Sequence, residues 1–142
     1  MNQYVVVDLE MCKVPYLNRK KEFHGANETI QIGAVLLNEN YEVVDEFNTY
    51  VRPEFGSLDW FITNLTGITP KDLKSAPTMR EAMKAFIFWI PEDAFVVSWS
   101  DNDLKQIQKE AEAKLIEDER LDSILGTWID CQKMFSERLD EE

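Results

Sequence analysis

The sequence predicts an α/β domain built on a mixed five-stranded sheet flanked by helices. Three observations predict it. A valine-rich apolar run, Tyr4–Leu9, opens the chain, and two more strand-like runs follow within fifty residues. An amphipathic stretch from Thr78 to Ile90 has helical spacing. From there helix-like and strand-like segments alternate, the pattern of a sheet covered by helices.

Tyr4–Leu9, with Val5, Val6 and Val7 in succession, reads as a buried central strand. Residues 12–27 read as a polar loop with a basic cluster, Lys13, Arg19, Lys20, Lys21 and His24. Thr29–Leu37 and Glu42–Val51 read as a hairpin pair, joined through the turn residues Asn38-Glu39-Asn40 and closed by Pro53. Leu58–Leu65 is a short helix ended by Thr66-Gly67, with Gly67 suited to a left-handed cap. Thr69-Pro70 starts another helical turn. Thr78 and Glu81 form a capping box, and Met79, Ala82, Met83, Phe86, Ile87 and Ile90 share one face of the helix behind it. Ala94–Trp99 is a fourth strand. Ser100 or Asp101 caps the next helix, with Leu104, Ile107, Ala111 and Leu115 as its apolar face. Thr127–Ile129 is a short fifth strand, and Asp130 caps a last helix through Phe135 and Leu139.

At 142 residues, 44% apolar and 11% aromatic, the chain is long enough for one domain with its own core. No run of 18 apolar residues occurs. The opening Met1-Asn2-Gln3-Tyr4 lacks a basic and then apolar leader. Cys12 and Cys131 are far apart and follow no metal spacing, so a cytoplasmic chain with two free thiols is expected. The net charge is −12, and residues 101–142 hold 13 acids against 6 bases. So acidic a chain excludes a broad phosphate-gripping surface; contact with a polyanion must be local or bridged by cations.

The sharpest chemical signal is Asp8 with Glu10. Residues i and i+2 of a strand share a face, so two carboxylates stand together where a buried strand ends. Their repulsion is offset by a divalent cation, and oxygen-rich open sites suit Mg²⁺ or Mn²⁺. By itself the pair also describes a strand that stops at Leu9 and leaves two solvated acids. Asp103 follows the fourth strand in Ser98-Trp99-Ser100-Asp101-Asn102-Asp103. If the first and fourth strands are neighbours, it reaches the same crevice at their carboxyl ends. Alone it also reads as an acid in the first turn of a helix. Glu28, at the start of the second strand, either borders that crevice or is a polar strand start. Gly33 marks a close backbone approach or a bulge.

Taken in order, Val-Val-Val-Asp8-Leu-Glu10, Glu28-x-x-Gln31-Ile-Gly33-Ala, Val51-Arg-Pro53, Leu65-Thr66-Gly67-Ile68-Thr69 and Ser98-Trp99-x-x-x-Asp103 resemble the DEDD (DnaQ-like) 3′–5′ exonucleases. The nearest likeness is to the branch that holds histone-mRNA and small-RNA exoribonucleases and a sporulation-inhibitor homologue. The resemblance implies a ribonuclease-H-like fold and a two-metal site for Mg²⁺ or Mn²⁺. In that site Asp8 bridges both ions, Glu10 binds one and Asp103 the other. Met11 and Cys12 lie beside the terminal nucleotide, Glu28 contacts its ribose, and Leu65, Thr66 and Ile68 line its pocket; Trp99 is counted with these substrate-side residues. Thr66-Gly67-Ile68 also reads as plain helix-ending chemistry. The expected partner is the 3′ end of a single-stranded nucleic acid, RNA or DNA.

The resemblance stops short of the family's final helix, which carries a general-base histidine and a fourth carboxylate. The single histidine here, His24, precedes most of the motifs. Residues 1–142 are therefore expected to form one exonuclease domain, incomplete at its C-terminus, with low turnover and an uncovered sheet face that favours self-association. The rival expectations are an inactive nuclease-fold interaction module and half of a site completed in trans.

Overall fold

The computed structural model describes residues 2–15 and 25–141. The basic-loop residues Arg19, Lys20, Lys21 and His24 lie outside them. In chain order the elements are β1 (Tyr4–Lys13), β2 (Asn27–Leu37), β3 (Val43–Tyr50), α1 (Trp60–Thr66), α2 (Pro70–Lys74), α3 (Met79–Trp89), β4 (Phe95–Ser98), α4 (Asn102–Ala113), α5 (Glu119–Thr127), β5 (Ile129–Asp130) and α6 (Cys131–Glu141). The sheet order is β3-β2-β1-β4-β5. β1–β2 and β2–β3 pair antiparallel, and β1–β4 and β4–β5 pair parallel. This is the expected mixed five-stranded sheet with flanking helices, and β1 and β4 are neighbours.

The local chemistry acts largely as the residue types dictate. Asn38 Oδ1 accepts the amides of Asn40 and Glu42 and so shapes the β2–β3 turn. Asp59 caps α1 through the Ile62 amide, and Gly67 ends it at φ 79°. Thr69 and Thr78 each form a complete capping box, with Asp72 and Glu81. The α3 face from Met79 to Ile90 is buried as its spacing requires, against Val5, Val7, Leu9, Ile32 and Val96. Burial of Phe86 alone contributes about 1.5–3 kcal/mol. Its ring packs on Phe47 at 5.3 Å between centroids, and Trp89 Nε1 donates to Asp45 Oδ2 at 3.0 Å, so α3 is tied to β3.

Three expectations are corrected, and one element is new. β1 does not stop at Leu9: Met11, Cys12 and Lys13 pair with Thr29, Glu28 and Asn27, so part of the expected loop is strand. Leu115 is 72% exposed, because α4 ends at Ala113 and the chain turns there with Leu115 at φ 53°. The fifth strand is displaced to Ile129–Asp130, since Thr127 still belongs to α5. α5 itself was not expected. It is capped by Asp118 and buries Leu121, and Arg120 donates to the Ile87 and Ile90 carbonyls at the end of α3. No helix among the described residues is long and apolar enough to cross a membrane.

Candidate metal and nucleic-acid site

β1 carries Asp8 and Glu10 on the face opposite Val7 and Leu9, which are buried. β4 lies parallel beside β1, with Val97 opposite Val6. The chain leaves β4 through Trp99-Ser100-Asp101 and enters α4, whose first turn holds Asp103. Asp101 makes no side-chain cap; it pairs instead with Lys105 at 2.8 Å, while Ser100 Oγ accepts the Asn102 amide at 3.3 Å.

The three acids act on one another. Partial burial, then the charges of Asp8 and Glu10, push the Asp103 carboxyl up to about 6. Glu10 is raised too, by desolvation first and Asp8 second. Residues from β1 and α4 thus share one electrostatic neighbourhood, and among the described residues no cation offsets the shift of Asp103 or Glu10. The donor set is hard oxygen, the chemistry of Mg²⁺ or Mn²⁺. Among the described residues, however, no three His, Cys, Asp or Glu side chains already stand close enough to cage an ion.

The remaining expected site residues divide. Trp99 is 63% exposed, and its ring lies 6.5 Å from that of Phe135. Leu65 is 69% exposed on α1. Met11 is half-buried and packs against the main core. Cys12 does not face the crevice. Strict alternation would put it on the side of Glu10, but the register shifts between Glu10 and Met11, and Cys12 is fully buried with Ile30, Ile62, Ile68 and Leu73. Burial, with Glu28 nearby, pushes its thiol up to about 12.

Ile68 belongs to that same cluster and is 1% exposed, so it is core rather than pocket lining. Thr66 ends α1: its hydroxyl donates to the Ile62 carbonyl and accepts the Ile68 amide. Glu28 does stand at the start of β2, but it is buried rather than open to the crevice. It has no exposed surface, and its carboxylate accepts the amides of Glu54, Phe55 and Gly56 and the Lys114 ammonium. Gly33 sits opposite Asp8, where a Cβ would meet only the Asp8 carbonyl at 3.6 Å, so neither close approach nor a bulge requires it. Asp130 caps α6 through the Lys133 amide at 3.0 Å.

Sequence reasoning missed Gln106, Glu110 and Lys114, which lie along one stripe of α4 and its C-cap. Their i, i+4 spacing was visible, but the pattern also describes an ordinary solvated helix face.

The RNase_T model, described as an exonuclease, matches residues 5–141. ERI1 exoribonuclease 2 of Xenopus laevis is 32% identical over 137 residues, covering 79% of this chain and 20% of that protein. The structure of cell-death related nuclease 4 superposes with a TM-score of 0.76 at 21% identity, over 98% of this chain and 48% of that one, a likeness of fold. A structure titled for 3′-end specific recognition of histone mRNA stem-loop by 3′-exonuclease superposes at 0.60 with 26% identity, over 75% of this chain and 52% of that one. The chain spans a fifth or less of the length of the curated relatives it matches.

Proposed function

The chain belongs to the RNase_T exonuclease family, and from that premise we propose that it is a metal-dependent 3′–5′ exonuclease domain acting on the 3′ end of a single-stranded nucleic acid. The observation that carries this reading is the coupling of Asp103 to Asp8 and Glu10 across two elements distant in sequence. A fold gains nothing from gathering three repelling carboxylates unless something positive joins them.

In this reading Asp8, Glu10 and Asp103 hold divalent ions of the Mg²⁺ or Mn²⁺ type. When bound, such ions neutralise phosphate charge and stabilise the attacking and leaving oxygens of phosphodiester hydrolysis. The protein residues do the rest. The carboxylates set where the scissile phosphate rests, and the cations they recruit draw a polyanion to a chain of net charge −12. Trp99 and Leu65 offer exposed apolar surface on which terminal bases can pack.

The test is degradation of 3′-labelled single-stranded RNA and DNA with Mn²⁺, with Asp8→Ala and Glu10→Ala as controls. Shortening from the 3′ end that both substitutions abolish supports the reading. Shortening that survives both substitutions sinks it.

A second reading, a nuclease fold kept as an interaction module, is favoured by the lack of a ready-made metal cage among the described residues. Absence of Mg²⁺ or Mn²⁺ binding at millimolar concentration would select it.

A further inference from the structure

A polar cluster buried between α4 and the sheet takes no part in the chemistry above. Lys114 Nζ lies 2.7 Å from Glu28 Oε2 and 2.9 Å from Glu110 Oε1, and both carboxylates are without exposed surface. The other acceptor sites are filled from the backbone and from neighbouring side chains. Glu28 takes the amides of Glu54, Phe55 and Gly56 at 2.7, 2.8 and 2.7 Å. Glu110 Oε2 takes the Thr29 amide at 3.1 Å, the Thr29 hydroxyl, and Gln106 Nε2 at 2.9 Å. Gln106 Nε2 also donates to the Asn27 carbonyl at 2.8 Å. Two carboxylates share one ammonium.

Buried charge of this kind is seldom more stable than apolar packing of the same volume. What it supplies is direction, because each hydrogen bond fixes one group at one place. The fixed segments all flank the site. α4 carries Asp103 in its first turn, and its buried residues are Gln106, Ile107 and Glu110, one apolar and two polar. Apolar contact alone therefore sets the rotation of α4 weakly. β2, which supplies Glu28 and Thr29, is the hydrogen-bonded partner of the strand bearing Asp8 and Glu10. Residues 54–56 lead into α1, which presents Leu65.

We infer that Glu28, Lys114 and Glu110 form a positioning cluster that sets α4 on β2 so that Asp103 faces Asp8 and Glu10, and that Glu28, paired to the same lysine, holds the 54–56 loop in register with them. The inference rests on the reading of those three acids as the metal site. The three side chains are buried and bonded to one another, so they act through α4 and the loop.

The experiment compares wild type, Lys114→Met, Asp103→Asn and the double variant by Mn²⁺ calorimetry and amide hydrogen exchange. Lys114→Met is expected to weaken Mn²⁺ binding by about tenfold or more, the usual effect of losing an outer support of a metal site. Exchange should quicken at residues 54–56, at Thr29 and over Gln106–Glu110, and stay unchanged over α3. The double variant should bind little worse than the weaker single variant, since both act through one carboxylate. Unchanged Mn²⁺ affinity in Lys114→Met, or exchange quickened evenly along the chain, overturns the inference while leaving the metal reading intact. A wild-type chain that binds no Mn²⁺ sinks the metal reading, and this inference with it. Should Lys114→Met fail to fold, Glu110→Gln, which leaves one carboxylate for the ammonium, is judged by the same results.

Discussion

Asp103, in the first turn of α4, feels the charge of Asp8 on β1: burial first, then repulsion from Asp8 and Glu10, lifts the Asp103 carboxyl from its ordinary 3.8 to about 6. The native state therefore holds this proton more tightly than the unfolded chain does. The stability it contributes is complete below pH 3.8 and is lost as pH rises through 6. Asp103→Asn removes that loss. At pH 7.5 the variant is expected to be more stable than wild type by about 1 kcal/mol, a figure already reduced for solvent screening of a half-exposed group. Near pH 3.5 the two should match. Urea unfolding at both pH values measures the difference, and equal stability at pH 7.5 would count against the coupling.

The same proton competes with metal. On the proposed reading, Mn²⁺ can occupy the site only after Asp103 ionises, so affinity should be flat above neutrality and decline by about tenfold per pH unit below 6. Calorimetric titration at pH 7.5 and pH 5.0 reads this directly. Affinity that is the same at both values would show that Asp103 is not a ligand.

Gly56 is expected to tolerate no side chain. An added Cβ would stand 2.7 Å from Cys12 Sγ and 2.8 Å from the Lys13 carbonyl, and the latter, being backbone, cannot swing aside. Gly56→Ala should destabilise by about 1–3 kcal/mol through overpacking. Loss of the Gly56 amide from Glu28 would add to this. A shift in urea midpoint with unchanged slope is the expected signature; an unchanged midpoint refutes the packing account.

The two thiols should react very differently. Cys12 is fully buried with its thiol pushed up to about 12, whereas Cys131 is half-buried. Only the thiolate attacks disulfide reagents. At pH 8, one thiol per native chain is expected to react within minutes, and both after unfolding. Fast reaction of both in the native chain would mean that β1 opens at Cys12.

Much of this architecture was legible because its signals are local. The capping boxes at Thr69 and Thr78, the left-handed Gly67 and the buried face from Met79 to Ile90 each depend on residues within a turn or two of one another. The pair Asp8 and Glu10 was legible for the same reason, since strand alternation alone puts them on one face. α5 was missed although Asp118 and the spacing of Leu121, Ile124 and Leu125 could have signalled it.

What the chain alone determined, then, is which residues are strand, helix and cap, and which acids are candidates for chemistry; these follow from periodicities of two and 3.6 residues. What only the tertiary structure decided is where side chains from distant segments meet. A one-residue register shift beside Glu10 turned Cys12 from the crevice into the core. The approach of α4 to β2 turned Glu28 and Glu110 from surface acids into buried partners of Lys114. Both outcomes depend on which strand or helix lies opposite, and that contact is set by packing across the whole fold rather than by neighbours in the chain.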